Sequence, residues 1–318
     1  MINILFTPKD GEGPQIPPAA VVGGKGRGLY WLAREKFPTP PTWVFSTVAF
    51  DLIVKKVGLE EPLTTIEQVT SNLPGDWAEG LRALNAVEPQ RVAVVKALEQ
   101  AEMVAVIATE LTELPLRPGQ WAVRSSATVE DSPQHSFAGQ FRSLLSVPRK
   151  DLWGAMCKVW ASNYSREALL YCAQVASPLP RMAVVLQPME PLTARDRSGV
   201  AFSHSPAPSL PGVLIQASFG SGQVVVGGRG GDLYGVRGKK VQVQPMPPDQ
   251  IRVTGPEGDT VPQEPPPGLA LTEEEARELA ALITAVAKKW GNPVNIEFVW
   301  RAGKKPSLVQ VRSVAALQ

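Results

Sequence analysis

The chain has 318 residues, a formal net charge of +2 and 44% hydrophobic residues. That length accommodates about two domains of the usual 100–200 residues, and the hydrophobic share excludes wholesale disorder. The near-neutral charge, with no Lys/Arg run, excludes an electrostatic footprint for nucleic acid.

Residues 1–12 lack the long apolar run of a signal peptide. Gly23-Gly24-Lys25-Gly26-Arg27-Gly28 then opens a helix through Leu29, Leu32 and Ala33, ended by Phe37-Pro38-Thr39-Pro40-Pro41. Residues 42–46 read as a strand, 48–57 as a helix, and 76–114 as helical from apolar residues three and four apart. The apolar stretch 92–111 is interrupted by Lys96, Glu99, Gln100 and Glu102, so no membrane span is expected. Pro115 and Pro118 close the helical section.

From Gln120 the pattern changes. Residues 121–124 and 142–147 read as strands around a polar loop, and 151–176 as helical. That helical stretch carries both cysteines, Cys157 and Cys172. They are too few for a disulfide framework and are expected as buried thiols in a reducing compartment. A cytoplasmic protein is the expectation. Residues 182–186, 199–202, 213–217, 224–226 and 233–236 read as successive strands. The Pro/Gly-rich stretch 242–268 reads as a loop or linker. Thr272 and Glu275 form a capping box for a helix reaching Trp290, which Gly291-Asn292-Pro293 stops. Residues 294–300 and 308–312 then read as a hairpin.

Three clusters carry candidate chemistry. Glycines around Lys25 permit close backbone approach, and a helix N-terminus favours an anion. A plain glycine-rich turn has the same composition. In Val123-Arg124-Ser125-Ser126-Ala127-Thr128-Val129-Glu130-Asp131, an arginine at a strand end followed by hydroxyls suits phosphate oxygens, or a serine turn. In the closing hairpin, Asn295 and Glu297 share a face, as do Gln310 and Arg312. Normal pairing brings a carboxylate, two amides and a guanidinium onto one patch. Such a patch suits Mg²⁺ with a triphosphate, or is simply solvated.

Taken in order, these clusters resemble the nucleotide-binding domain of phosphoenolpyruvate synthase and pyruvate phosphate dikinase, to which a domain of rifampin phosphotransferase is similar. Further matching segments are Pro40-Pro41-Thr42-Trp43-Val44, Ser136-Phe137-Ala138-Gly139-Gln140, Val159-Trp160-Ala161-Ser162, Ser198-Gly199-Val200-Ala201-Phe202, Ala217-Ser218-Phe219-Gly220, Ile296-Glu297-Phe298 and Gln310-Val311-Arg312. The resemblance implies an α+β, ATP-grasp-like fold with two lobes closing on ATP. It implies an N-terminal lobe over 1–118, a central lobe over 119–241, a linker over 242–271, and a closing helix and hairpin over 272–318.

It also implies roles. Lys25, Gly24, Gly26, Arg124 and Ser125 would meet ATP phosphates. Gln187 and Met189 would present the hinge backbone to adenine, and Gln216 would join the nucleotide site. Glu297, Gln310 and Asn295 would hold Mg²⁺, and Arg312 would face the transferring phosphoryl. Lys25, Arg124 and Arg312 are the expected catalytic set. The implied activity is ATP-dependent phosphorylation of a histidine on a separate domain or partner protein. His135 and His204 lie outside the family's phosphohistidine context and are expected on surface loops. Arg142, Ser205, Gln216, Gln223 and Asn295 stand where the synthase branch is usually acidic. That departure raises the alternative of a catalytically impaired nucleotide-binding regulatory module.

Overall fold

The computed structural model describes residues 5–6 (backbone only), 16–74, 76–114, 119–129, 139–255 and 257–314. His135, Glu130, Asp131 and most of the 136–140 segment fall outside them. The described residues divide into two compact units. One takes 5–6, 16–30 and 41–189; the other takes 31–40 and 190–314. The boundary expected after residue 118 therefore lies inside the first unit.

The first unit holds an antiparallel five-stranded sheet in the order β1-β2-β5-β3-β4. The strands are β1 (Leu5–Phe6), β2 (Trp43–Phe45), β3 (Gln120–Ala127), β4 (Ser143–Pro148) and β5 (Met182–Met189). Helix α1 (Ala19–Arg34) starts in this unit and its last residues count with the other. Seven further helices follow: α2 (Thr47–Lys56), α3 (Glu60–Ser71), α4 (Trp77–Leu84), α5 (Glu88–Glu99), α6 (Ala105–Thr112), α7 (Leu152–Ala161) and α8 (Arg166–Gln174).

β3 and β5 pair along their whole length, Arg124 opposite Val185 and Ser126 opposite Ala183. Partners in an antiparallel ladder share a face. On one face Val44, Ala183 and Val185 pack with Val22 and Leu29 of α1. On the other, Val123, Val184 and Leu186 join the larger core of α7 and α8, where Trp160 is fully buried. Its indole Nε1–H donates to Met182 O at 3.1 Å, so the ring is buried without an unmet donor.

The helical expectation over 151–176 holds, interrupted at Ser162–Tyr164 by a short 3-10 turn. Ser165 then caps α8, its side chain accepting from Ala168 N–H. Both cysteines sit in these helices, buried and unpaired. Burial pushes each thiol up to about 12, so neither is a reactive thiolate at neutral pH.

Glu88, at the start of α5, binds Arg91 on its own helix and Arg166 on α8. The Arg91 hydrogen bonds, then Arg166, hold its carboxyl down at about 2. A depressed pKa gives stability that is complete above the usual carboxylate range, near 4.5, and fades as pH falls towards 2. The pair is partly solvated, so its worth is at most about 1 kcal/mol. The difference between the urea midpoints of wild type and Glu88→Gln should be full at pH 7, narrow below about 4.5 and close as pH falls to about 2. A constant difference from pH 7 down to about 2 would refute the linkage.

The second unit holds an antiparallel six-stranded sheet in the order β13-β12-β6-β7-β8-β9. Its strands are β6 (Arg197–Phe202), β7 (Val213–Phe219), β8 (Asp232–Arg237), β9 (Lys240–Gln244), β12 (Val294–Trp300) and β13 (Ser307–Ser313). Helix α10 (Glu273–Trp290) carries the expected capping box of Thr272 and Glu275, with three glutamates in its first turn. It ends at Gly291, whose φ of 86° is the left-handed conformation glycine takes without penalty. Leu279, Ile283 and Val286 of α10 bury the sheet face made by Val294, Ile296 and Phe298.

Two expectations are corrected here. Residues 224–226 are not a strand: they belong to a single helical turn, α9 (Gln223–Val226). The stretch 242–271 is not a featureless linker. It completes β9 and holds a hairpin of β10 (Ile251–Thr254) and β11 (Thr260–Gln263), with Ile251 fully buried. Its start and its end are both tied to the sheet by buried Asp232, which accepts from Met246 and Ala270 N–H at 2.9 and 2.8 Å.

Candidate functional site

The first unit holds the glycine-rich turn. Gly23 breaks α1 with φ 68° and ψ 174°, a combination open only to glycine. The break lets the turn lie against the end of β3, where a side chain on Gly23 would collide with the Ser126 carbonyl. Ser126 is fully buried and serves both sides of the break. Its hydroxyl donates to Val22 O at 2.7 Å and accepts from Gly26 N–H at 2.9 Å. Lys25 Nζ comes 3.4 Å from Ser125 Oγ. Arg124, two residues before Ser126 and on the same strand face, is 9% exposed. Lys25, Gly24, Gly26, Arg124 and Ser125 therefore collect around one strand end. Ser126, which anchors the turn at Val22 and Gly26, was not singled out from the sequence. Its only sequence signal was being one hydroxyl among three.

The β5 segment expected as the adenine hinge has a distinct backbone environment. The β2 ladder ends at Trp43 opposite Leu186, whereas β3 stays paired through Gln120 opposite Met189. Past Leu186, β5 is laddered on the β3 side alone. The Gln187 side chain is 4% exposed and donates to Thr42 Oγ1 at 3.0 Å. The Met189 sulfur accepts from Ser146 N–H at 3.3 Å. Both side chains are engaged within the protein.

The second unit holds the hairpin. Asn295 lies opposite Arg312 and Glu297 opposite Gln310; the register shifts only beyond Glu297. All four occupy the sheet face away from α10, since their neighbours Val294, Ile296 and Val311 are in the helix-covered core. Val200 pairs with both Glu297 and Gln216, which sets Gln216 in the Glu297–Gln310 row. Gln216 Nε2 donates to Gly230 O at 3.2 Å. Asn295 is 5% exposed, and its Oδ1 accepts from Arg312 Nε at 3.0 Å.

Mg²⁺ is bound through oxygen donors, usually one or two carboxylates plus substrate phosphates. Glu297 beside Gln310 supplies one carboxylate and one amide. Among the described residues no group of three or more His, Cys, Asp or Glu converges as for a metal. The donor set fits a metal that arrives with its own phosphate ligands. Of the other positions noted, Arg142 and His204 are exposed, and Ser205 Oγ is used in a local turn with Ala207 N–H. No helix among the described residues is long and apolar enough to cross a membrane.

Residues 19–318 match the family described as pyruvate phosphate dikinase, AMP/ATP-binding domain. A probable phosphoenolpyruvate synthase of Archaeoglobus fulgidus is 29% identical, over 94% of this chain and 40% of its own length. That of Methanocaldococcus jannaschii is 26% identical, over 94% of this chain and 26% of its own. Rifampicin phosphotransferase of Streptomyces sviceus is 30% identical, over 88% of this chain and 32% of its own. The chain spans well under half the length of these curated relatives.

Proposed function

This chain belongs to the family of pyruvate phosphate dikinase AMP/ATP-binding domains, and from that membership we propose that it is an ATP-binding phosphotransferase module of ATP-grasp type. A phosphoryl group of ATP would pass to a ring nitrogen of a histidine on a separate domain or partner: the phosphorus–nitrogen bond forms as the phosphoanhydride bond breaks, the rest of the nucleotide leaves with the bonding electrons, and the imidazole gives up its other ring proton to solvent. The observation that carries the reading is the glycine-rich turn held on β3 by Ser126, with Lys25 and Arg124 at the same strand end.

The backbone of Gln187 and Met189 would take adenine, with Gln216 in the nucleotide site. Gly24, Lys25, Gly26, Arg124 and Ser125 would hold phosphates, and Arg312 would face the phosphoryl in transit. Glu297 and Gln310 would hold Mg²⁺, which when bound neutralises phosphate charge. The protein's own part is to orient the phosphates and offset their charge with fixed cations.

A second reading, a regulatory nucleotide-binding module, is supported by the same hairpin. Asn295, an amide, lies two residues from Glu297 on the same strand face, and among the described residues Glu297 is the one carboxylate in the row with Gln310 and Gln216. Two unit charges ~4 Å apart interact by about 4 kcal/mol at an effective dielectric of 20. A missing carboxylate thus slows transfer more readily than it abolishes binding.

Titration calorimetry with a non-hydrolysable ATP analogue and Mg²⁺ tests the proposal. Binding should be detectable and should weaken roughly tenfold or more in Lys25→Ala and Arg312→Ala, the scale of a lost charged hydrogen bond. Glu297→Gln should abolish the Mg²⁺ dependence. No heat and no thermal shift at millimolar ligand would refute the reading.

A further inference from the structure

Val22 O and Gly26 N–H are an i, i+4 pair, the two groups that bond directly in an uninterrupted helix. In α1 the Ser126 hydroxyl lies between them. Its oxygen accepts from Gly26 N–H at 2.9 Å, and its proton goes to Val22 O at 2.7 Å. Residues 19–22 and 24–34 are helical on either side of Gly23, the residue with non-helical angles. A second hydroxyl flanks the break. Thr47, buried at the start of α2, donates through Oγ1 to Ala20 O at 3.1 Å. The regular helical partner of that carbonyl is Gly24 N–H. Ser126 is fully buried, so bulk water does not take its place. A side chain set into the i, i+4 ladder is one of the few causes of a sharp helix break.

We propose that Ser126 is the positioning residue of the phosphate turn: its hydroxyl stands in for the direct Val22–Gly26 bond and so keeps α1 open at Gly23. Thr47 supports the same opening from α2. Held open, the 24–34 segment starts beside the end of β3, where Lys25 Nζ lies 3.4 Å from Ser125 Oγ. Neither Ser126 nor Thr47 touches the ligand in this assignment. Serine suits the place because one hydroxyl both donates and accepts. Alanine does neither and brings no polar group that needs a partner. Without the bridge the chain has a second arrangement, in which Gly23 turns helical and Gly26 N–H bonds to Val22 O. Glycine, with no Cβ, adopts either conformation. The turn is a two-state element that Ser126 biases to its open form.

The role towards phosphate rests on the nucleotide-binding reading, whereas the bridge does not. The test therefore has two arms, applied to wild type, Ser126→Ala and Ser126→Cys, whose thiol fills similar space but donates and accepts weakly. The first arm is NMR of the full chain without ligand. The Cα shift of Gly23 should be non-helical in wild type, helical in Ser126→Ala and displaced in the same direction in Ser126→Cys. The second arm is titration with a non-hydrolysable ATP analogue and with adenosine. Triphosphate affinity should fall about tenfold in Ser126→Ala, the scale of one lost hydrogen bond to a charged group, and adenosine affinity should stay unchanged.

A Gly23 shift that stays at its wild-type value in Ser126→Ala would overturn the bridge. Equal losses for the ATP analogue and adenosine would mark a general loosening of the unit and overturn the positioning role, as would an unchanged triphosphate affinity. If Ser126→Ala does not fold, Ser126→Cys decides both points. If wild type binds no nucleotide, the functional reading and the phosphate role fall together, and the Gly23 shift still decides the bridge.

Discussion

Gly23→Ala should destabilise the first unit by about 3 kcal/mol or more and remove nucleotide binding. Two penalties combine. The backbone at residue 23 has φ 68° and ψ 174°, a region that costs a residue with a Cβ about 1–3 kcal/mol. The new methyl would also meet the Ser126 carbonyl, so the turn must lift from β3. Lifting it breaks the bonds from Gly26 N–H to Ser126 Oγ and from Ser126 Oγ–H to Val22 O, both buried. Each buried polar group left unpaired costs about 1–3 kcal/mol. Gly154→Ala is the control. Gly154 lies in α7 with open space where a Cβ would point, so that change should be neutral or stabilise by up to about 1 kcal/mol. Urea unfolding and analogue titration of both variants make the comparison. Equal stability of the two would show that the turn does not depend on Gly23.

Asp196→Ala should cost the second unit about 3 kcal/mol and weaken Mg²⁺-dependent binding, although the residue touches none of the proposed ligand groups. Asp196 is 3% exposed. Its carboxylate accepts from Thr193 N–H at 2.6 Å, Thr193 Oγ1–H at 2.9 Å and Ala302 N–H at 2.9 Å. The last bond ties the turn between β12 and β13, the strands of Glu297 and Gln310, to the loop before β6. The same turn carries ion pairs of Arg301 and Lys304 with Glu190. Glu190 is more than half exposed, so those pairs contribute little. A buried carboxylate with three donors outweighs them, since hydrogen bonds to charged groups are worth about 1.5–3 kcal/mol each. Asp196→Asn keeps an acceptor and should recover part of the loss. The urea midpoint and the Mg²⁺ titration of each variant are the measurements. If Asp196→Ala unfolds like wild type, the carboxylate does not hold the hairpin turn.

The sequence by itself determined the features that depend on near neighbours. The capping box at Thr272 and Glu275, the stop at Gly291 and the pairing of residues 294–300 with 308–312 were legible because their partners lie within a few residues or across one turn. The alternation that puts Asn295 and Glu297 on one face is a property of any strand. The tertiary structure decided what depends on distant partners. Three successive valines at 224–226 favour a strand, yet they turn helically between glycines and bury only Val224 and Val225. Helix α3 (Glu60–Ser71) escaped notice because only Leu63, Ile66 and Thr70 are buried along it, too sparse a stripe to stand out. Ser126 gained its role from a turn 100 residues earlier in the chain. Asn295 was legible as a neighbour of Glu297, but its oxygen went to Arg312 and its NH₂ to Ala201. A side chain with two hydrogen-bonding ends is assigned by whichever strands flank it, and that flanking is settled by packing of the whole sheet.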